Sequence, residues 1–311
     1  MLGFHRILLA TDFSASATAA LHYAAVLARL SHATLQVLHV IDTRVAAFSR
    51  WTDIFRSTEV IAAKETQETQ AFQRLLADPM LADLAVEPLV RHGHPADNIM
   101  DATANVDLVV MGTQGTTSGS GRAAGKVARQ VAHGSLAPVL LVPAAYRGAE
   151  LNATTAPSLP IRRILLAIHV AQYAPQAITL SRALASLCHA TLSVLQVLEP
   201  DKLRSYHLDA GAGLSHNLPG MQALMQQRLE DIVPDAPTGP AVERLVVVGT
   251  PAEVILQQAN ERRVDLVVMS VHAYGGLQKL FTPSTLDAVL ERTPCPLLAV
   301  PFAPSWQSGA S

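Results

Sequence analysis

The sequence is short of charge. Only 15% of its 311 residues are Asp, Glu, Lys or Arg, while half are hydrophobic. A disordered chain needs the opposite balance, so this composition predicts packed globular structure. Acid and base nearly cancel, leaving a formal net charge of −2. No global field is left to draw in nucleic acid or an anionic membrane surface. Cysteine is scarce too. Cys188 and Cys295 stand far apart and fit no metal or redox spacing. They suit a reducing cytosol as small buried apolar residues. No run reaches the ~18 apolar residues that a spanning helix needs. The opening segment, MLGFHRILLATDFS, has too short an apolar run for a secretory signal, and Asp12 interrupts it. The expectation is a cytoplasmic protein with neither nucleic acid nor membrane as partner.

Internal repetition is what the sequence has in abundance. The hexapeptide VDLVVM occurs at Val106 to Met111 and again, verbatim, at Val264 to Met269. RRILLAI (162–168) answers RILLAT (6–11), and ATLSVLQV (190–197) answers ATLQVLHV (33–40). Gly249-Thr250-Pro251-Ala252 answers Gly93-His94-Pro95-Ala96, and CPLLAVP (295–301) answers APVLLVP (137–143). The spacing stays between 156 and 158 residues throughout. Matches kept in register over that length predict a tandem duplication. The Ala-, Thr-, Ser- and Pro-rich stretch AAYRGAELNATTAPSLP (144–160) reads as the joint. The predicted division is a domain over 1–145, a linker over 146–160 and a domain over 161–303.

Within the first half, short apolar runs alternate with segments of helical spacing. Runs over 6–11, 33–40, 86–92, 106–111 and 138–142 suit strands buried on both faces of a sheet. Ser14 or Ser16 can cap a helix whose apolar face includes Ala20, Leu21, Ala24, Ala25, Leu27 and Ala28. Helices are predicted over 57–77, after Pro95, and over 126–133. Residues 43–56, which carry Phe48, Trp51 and Phe55, read as a loop with a short helix. Alternation of this kind predicts an α/β fold: two Rossmann-like domains, each an open, mostly parallel sheet with helices on both faces. In such sheets ligands bind beyond the carboxyl ends of the strands, where strand order reverses. Asp12, Val40 and Gly112 all fall at or just past strand ends.

The chemistry gathers in GTQGTTSGSGRAAGK (112–126). Phosphate oxygens approach backbone N–H groups closely only where side chains are absent. The predicted helix after Gly125 offers an N-terminus whose N–H groups and dipole favour an anion. Asp12 can accept hydrogen bonds from ribose hydroxyls. ILLATDFS, LHVID and MGTQG followed by Gly125 together resemble the universal stress protein family, over nearly all the chain as two copies. The resemblance implies an adenine-nucleotide site. Asp12 and Val40 match its ribose and adenine contacts, and Gly112, Gly115 and Gly125 match the loop Gly-x2-Gly-x9-Gly that wraps the phosphates. Lys126 stands where that loop has Ser or Thr; its ammonium can meet a phosphate as a point charge, and Arg122 can do the same. The implied ligand is ATP or another adenine nucleotide, with Mg2+ as a companion that Asp12 can hold. The second half departs further. His169 replaces Asp12, Val197 keeps the place of Val40, Ser270, Ala273 and Pro283 replace the glycines, and Ser284 restores the hydroxyl. That half is expected to have lost nucleotide binding.

Catalytic signatures are missing. The Gly125-Lys126 pair lacks the first glycine and the hydroxyl of a P-loop, with Ser120 and Val127 in those places. His92-Gly93-His94 has the wrong spacing and position for a nucleotidylyltransferase and reads as loop histidines. No GxSxG elbow occurs. His169 and His272 lie near one another in the expected sheet but have no third metal ligand. Met100, Met111, Met221, Met225 and Met269 read as core. The resemblance therefore implies a nucleotide-binding stress sensor or regulator with an unidentified protein partner, and the missing catalytic groups leave at most slow hydrolysis. The alternative is a nucleotide-free scaffold, in which APVLLVP and CPLLAVP are candidate edges for pairing the two halves or for a homo-oligomer. An enzyme of the wider adenine-nucleotide α-hydrolase-like group ranks last, because its SGGxDS loop is absent.

Overall fold

The computed structural model describes residues 3–42, 54–115, 124–144, 159–170, 174–200, 218–235, 239–271 and 283–302. The chain divides into two compact units, Gly3–Leu159 and the part from Pro160 onward.

The first unit runs β1 (Arg6–Thr11), α1 (Ala15–Ser31), β2 (Thr34–Ile41), α2 (Ile54–Leu76), β3 (Val86–His92), α3 (Pro95–Ala102), β4 (Leu108–Gly112), α4 (Lys126–Gly134) and β5 (Val139–Val142). Its strands lie in the order β3-β2-β1-β4-β5, and every pairing is parallel. The chain steps outward from β1 through β2 to β3, then crosses to the other side of β1 for β4 and β5. The reversal point therefore lies between β1 and β4. Five of the six residues of β1 are buried, as a strand covered on both faces requires. At the edge, β3 mixes half-buried with exposed positions.

Local chemistry sets the boundaries. Ser14 is the N-cap of α1, its side chain accepting from the N–H of Ala17 at 3.2 Å. Ala20, Leu21, Ala24, Ala25, Leu27 and Ala28 are all buried on its inner side. His32 ends the helix in the left-handed region (φ 55°) and donates its N–H to the carbonyls of Ala28 and Arg29. The expected strand over 106–111 begins two residues later, at Leu108. At its entry Asp107 donates its N–H to the Arg6 carbonyl (2.9 Å), and its carboxylate accepts from the N–H groups of His5 (2.7 Å) and Arg6 (2.9 Å). The predicted loop over 43–56 lies mostly outside the described residues, and α2 begins at Ile54.

The second unit repeats the plan with β6 (Arg163–Ile168), α5 (Pro175–Cys188), β7 (Thr191–Leu198), α6 (Leu218–Ile232), β8 (Val242–Val248), α7 (Pro251–Glu261), β9 (Leu266–Val271), α8 (Pro283–Arg292) and β10 (Leu297–Pro301). Its order is β10-β9-β6-β7-β8, again all parallel. The likeness reaches single hydrogen bonds. Asp265 accepts from Arg162 N and Arg163 N as Asp107 does from His5 and Arg6. His189 (φ 51°) caps α5 as His32 caps α1. Gly249 donates to the Leu198 carbonyl as Gly93 donates to Ile41, both glycines at positive φ (154° and 125°).

Candidate functional site

At the carboxyl end of β1 the chain makes a tight turn into α1. Phe13 sits in the left-handed region at φ 62°, which costs a non-glycine residue of order 1–2 kcal/mol. Its ring packs on His39 of β2, centroids 4.5 Å apart, with Phe72 of α2 completing the cluster at 6.5 Å. The turn is tied by Ser14 N donating to Asp12 Oδ1 (3.1 Å) and Phe13 N donating to Thr11 Oγ1 (3.2 Å). Asp12 is half-buried in this position.

The loop leaving β4 is bolted to that turn. Ser14 Oγ and Ser16 Oγ both donate to the Gln114 carbonyl, the former at 3.0 Å, and Gln114 N donates to Ser16 Oγ at 3.3 Å. Gly112 lies so close to the start of α1 that a Cβ there would be 2.2 Å from Ser16 Oγ and 2.8 Å from Ala17 N. A Cβ at Gly115 would be 2.8 Å from Asp12 Oδ2. Thus the reversal point brings together the carboxylate and two of the three loop glycines named from the sequence.

The third glycine starts α4. Gly125 N donates to the Thr113 carbonyl (2.7 Å), and Thr113 N to Val142 (3.0 Å), so this helix start is anchored beside Gly112. Gly125 is the N-cap and, having no side chain, makes no capping hydrogen bond of its own. Arg129 braces the entry by donating to the Ala124 carbonyl at 3.2 Å. Lys126 is exposed as the first residue of α4. Val40 is half-buried and lies one residue beyond the Thr11–His39 register pair, level with Asp12. Residues 116–123, including Ser120 and Arg122, lie outside the described residues.

Three contributors escaped the sequence reading: Phe13, Ser16 and His39. One signal could have exposed His39. The apolar runs LQVLHV and LSVLQV carry a polar residue at the same place, His39 and Gln196, and both are buried.

In the second unit the described residues at the carboxyl ends of β6 and β7 leave little space between them. His169 is buried where Asp12 is half-exposed. Gln196 Oε1 accepts from Val170 N (2.7 Å), and its Nε2 donates to the Val197 carbonyl (2.6 Å). The cavity beside them, lined by His169, Gln196, Val197 and Glu199 among others, measures about 10 Å3, room for about one water. Ser270, in the place of Gly112, is buried within β9. His272 and Ala273 lie outside the described residues. No group of three His, Cys, Asp or Glu suited to a metal occurs among the described residues. His94 caps α3, its Nδ1 accepting from Asp97 N at 3.4 Å, while His92 is exposed at the end of β3. Met111, Met221, Met225 and Met269 are buried, and Met100 is half-buried. Among the described residues no helix is long and apolar enough to cross a membrane.

The family model for universal stress proteins matches residues 3–143 and again residues 160–301. The chain belongs to the universal stress protein family. A universal stress protein of Thermus aquaticus, encoded in a QAH/OAS sulfhydrylase 3' region, is 31% identical over 142 residues, 45% of this chain and 98% of its own length. The crystal structure of a universal stress protein from Archaeoglobus fulgidus aligns with TM-score 0.61 and 20% identity, covering 96% of this chain and 98% of that one. A putative universal stress protein from Pseudomonas aeruginosa aligns with the same TM-score and 14% identity, covering 96% and 93%. At such identities the structural likeness establishes fold. This universal stress protein is therefore of the tandem type, with an α/β Rossmann-like unit in each half.

Proposed function

We propose that the first unit binds ATP or another adenine nucleotide and that the protein serves as a stress-response sensor or regulator, with little or no hydrolysis. The observation that carries this reading is the Asp12 carboxylate held against Gly115, near an α4 start whose N-cap is a glycine. A carboxylate in this place accepts from ribose hydroxyls. The bare backbone of the glycine loop and the α4 N-terminus favour phosphates. Val40, level with Asp12, supplies an apolar wall for a base. Lys126 adds positive charge at the helix start without the geometry of a hydroxyl. Mg2+ fits this donor set as an ion carried by the phosphates and touched by Asp12, because Mg2+ keeps most of its waters and takes one or two carboxylates. Slow turnover follows from the sequence, which offers no catalytic motif beside the loop.

The replacement of Asp12 by His169 and of the loop glycines by Ser270, Ala273 and Pro283 favours a structural role for the second unit, so one nucleotide is expected per chain. The test is gentle denaturation of the purified full-length protein, mass spectrometry of the released small molecules, and titration of the stripped protein with ATP. Saturable binding at one site, lost in Asp12→Ala, supports the reading. A clean blank with no saturable binding overturns it in favour of a nucleotide-free scaffold.

A further inference from the structure

The outer strands β3 and β8 hold equivalent places in the repeat but differ in one residue. Among the described residues β3 pairs only with β2, and β8 only with β7. Leu35 donates its N–H to the Ala85 carbonyl, and Gly93 donates to Ile41. In a parallel ladder these bonds fix the direction of every backbone group between them. Glu87, Leu89 and Arg91 face β2, while Val86, Pro88, Val90 and His92 turn N–H and C=O outward. Pro88 has no N–H, so it interrupts that outer row, as proline does on an edge strand. In β8 the bonds from Leu192 N to the Ala241 carbonyl and from Gly249 N to the Leu198 carbonyl set the same pattern. Val242, Arg244, Val246 and Val248 form its outer row. Arg244, opposite Val194, stands where Pro88 stands opposite Val37, so the interruption is missing.

Charged side chains are the other common guard of an edge, and in β8 they are engaged elsewhere. Arg244 turns back to the connection from α6. Its Nε and Nη2 donate to the Val233 carbonyl at 2.9 and 2.6 Å, and Nη2 pairs with Asp235 at 2.9 Å. Glu243 accepts from Ser193 Oγ of β7 at 3.1 Å and pairs with Arg262. The remainder, Leu245-Val246-Val247-Val248, is apolar and half-buried. No described residue pairs with the outward N–H and C=O groups of this strand.

We propose that the outer edge of β8 is an interface for a second copy of this chain, joined by antiparallel β8–β8 pairing about a two-fold axis at Leu245. In this register Val242 meets the partner's Val248, and Arg244 meets the partner's Val246. Each such pair exchanges both N–H···O=C bonds, so the whole outer row is used. Leu245 lies against its own copy as a non-hydrogen-bonded pair, in which side chains come closest. Glu243 faces the partner's Val247, so no like charges stand opposite one another. A slip by two residues leaves an end of the row unpaired. This self-matching selects a second copy over an unrelated strand, because a two-fold interface must be complementary to itself. The edge of β3 fails the same test: Pro88 would face Val90 and leave its carbonyl without a donor on both sides of the axis.

The experiment is sedimentation of the full-length protein over a range of concentrations, with amide hydrogen exchange on the same samples. Wild type is expected to dimerise. Exchange at Val246 and Val248, whose N–H groups point outward, slows as the dimer forms. Leu245 and Val247, bonded to β7, stay slow throughout. Arg244→Pro installs the residue that the repeat already carries at Pro88. It should weaken the dimer by about tenfold or more, because an N–H···O bond is lost on each side of the axis. Arg244→Ala removes the same side chain but keeps the N–H, and should keep the dimer. Circular dichroism checks that both variants fold; where Arg244→Pro does not, the wild-type exchange pattern decides. A monomer at every concentration, or a dimer of unaltered affinity in folded Arg244→Pro, overturns the proposal. So does slow exchange at Val246 and Val248 that is independent of concentration, which would show the edge already paired within the chain.

Discussion

The Asp12 carboxylate and the Cα of Gly115 occupy adjoining space: a Cβ at position 115 would lie 2.8 Å from Asp12 Oδ2. The obstructed atom is the tip of a side chain, so the fold can absorb a substituent by rotating Asp12. The site cannot. Gly115→Val is therefore expected to lower nucleotide affinity tenfold or more while leaving the thermal midpoint nearly unchanged. Calorimetric titration and thermal unfolding of the same preparation check this, and an unaltered affinity would remove Asp12 and Gly115 from the site.

Gly112 should behave in the opposite way. Its missing Cβ would collide with Ala17 N and with the carbonyl carbon of Ser16, each at 2.8 Å, as well as with Ser16 Oγ. Backbone cannot step aside cheaply in a packed interior. Gly112→Ala is expected to destabilise the first unit by about 1–3 kcal/mol through overpacking. Urea denaturation followed by circular dichroism measures it.

Lys126 stands exposed at the start of α4. An ammonium there helps a phosphate chain and does nothing for a nucleoside. Lys126→Ala should weaken ATP binding severalfold, most strongly at low salt, and leave adenosine binding unaltered. Equal losses for both ligands would place the lysine away from the phosphates.

The aspartates of the repeated VDLVVM motif act as braces. Asp107 and Asp265 each accept from two successive backbone N–H groups at the entry of β1 and of β6. Replacing either by Ala should cost about 1 kcal/mol and speed hydrogen exchange at the paired amides. Exchange that stays slow at His5 and Arg6 in Asp107→Ala would show that the brace is dispensable.

Burial pushes the Cys188 thiol up to about 11 against a small opposing pull from Arg162, and pushes Cys295 up to about 12. Both thiols should resist alkylation in the native protein near neutral pH and react after denaturation. The sign of the linked stability follows from proton counts. Above the ordinary thiol value of 9.0 the unfolded chain loses these protons while the folded chain keeps them. Stability contributed by the two thiols is thus full below about pH 9 and is lost as pH rises toward 11–12. Urea midpoints at pH 8 and pH 10 should converge in Cys188→Ala/Cys295→Ala relative to wild type.

Much of this protein is written in local patterns. Runs such as RILLAT and ATLQVLHV specify buried parallel strands because a strand covered on both faces has no solvated side. The repeat spacing specifies two units, because each hydrophobic pattern recurs in register. Gly112 and Gly115 are legible as glycines, and the close approach of their backbone to Ser16 and Asp12 accounts for them. What the sequence by itself could not decide is which residues support that loop. Ser16 looked like a second candidate cap but bonds Gln114, 98 positions along the chain. Phe13 takes a left-handed conformation with its ring packed on His39, 26 positions along the chain. Asp107 looked like part of a strand but ties down the strand beside it. Each of these contacts joins groups far apart in sequence, and periodicity registers only near neighbours. The second unit offers a case of the same kind. The loss of Asp12's counterpart is visible in the letters, but the burial of His169 and the bonds of Gln196 to Val170 and Val197 are set only by the packed structure.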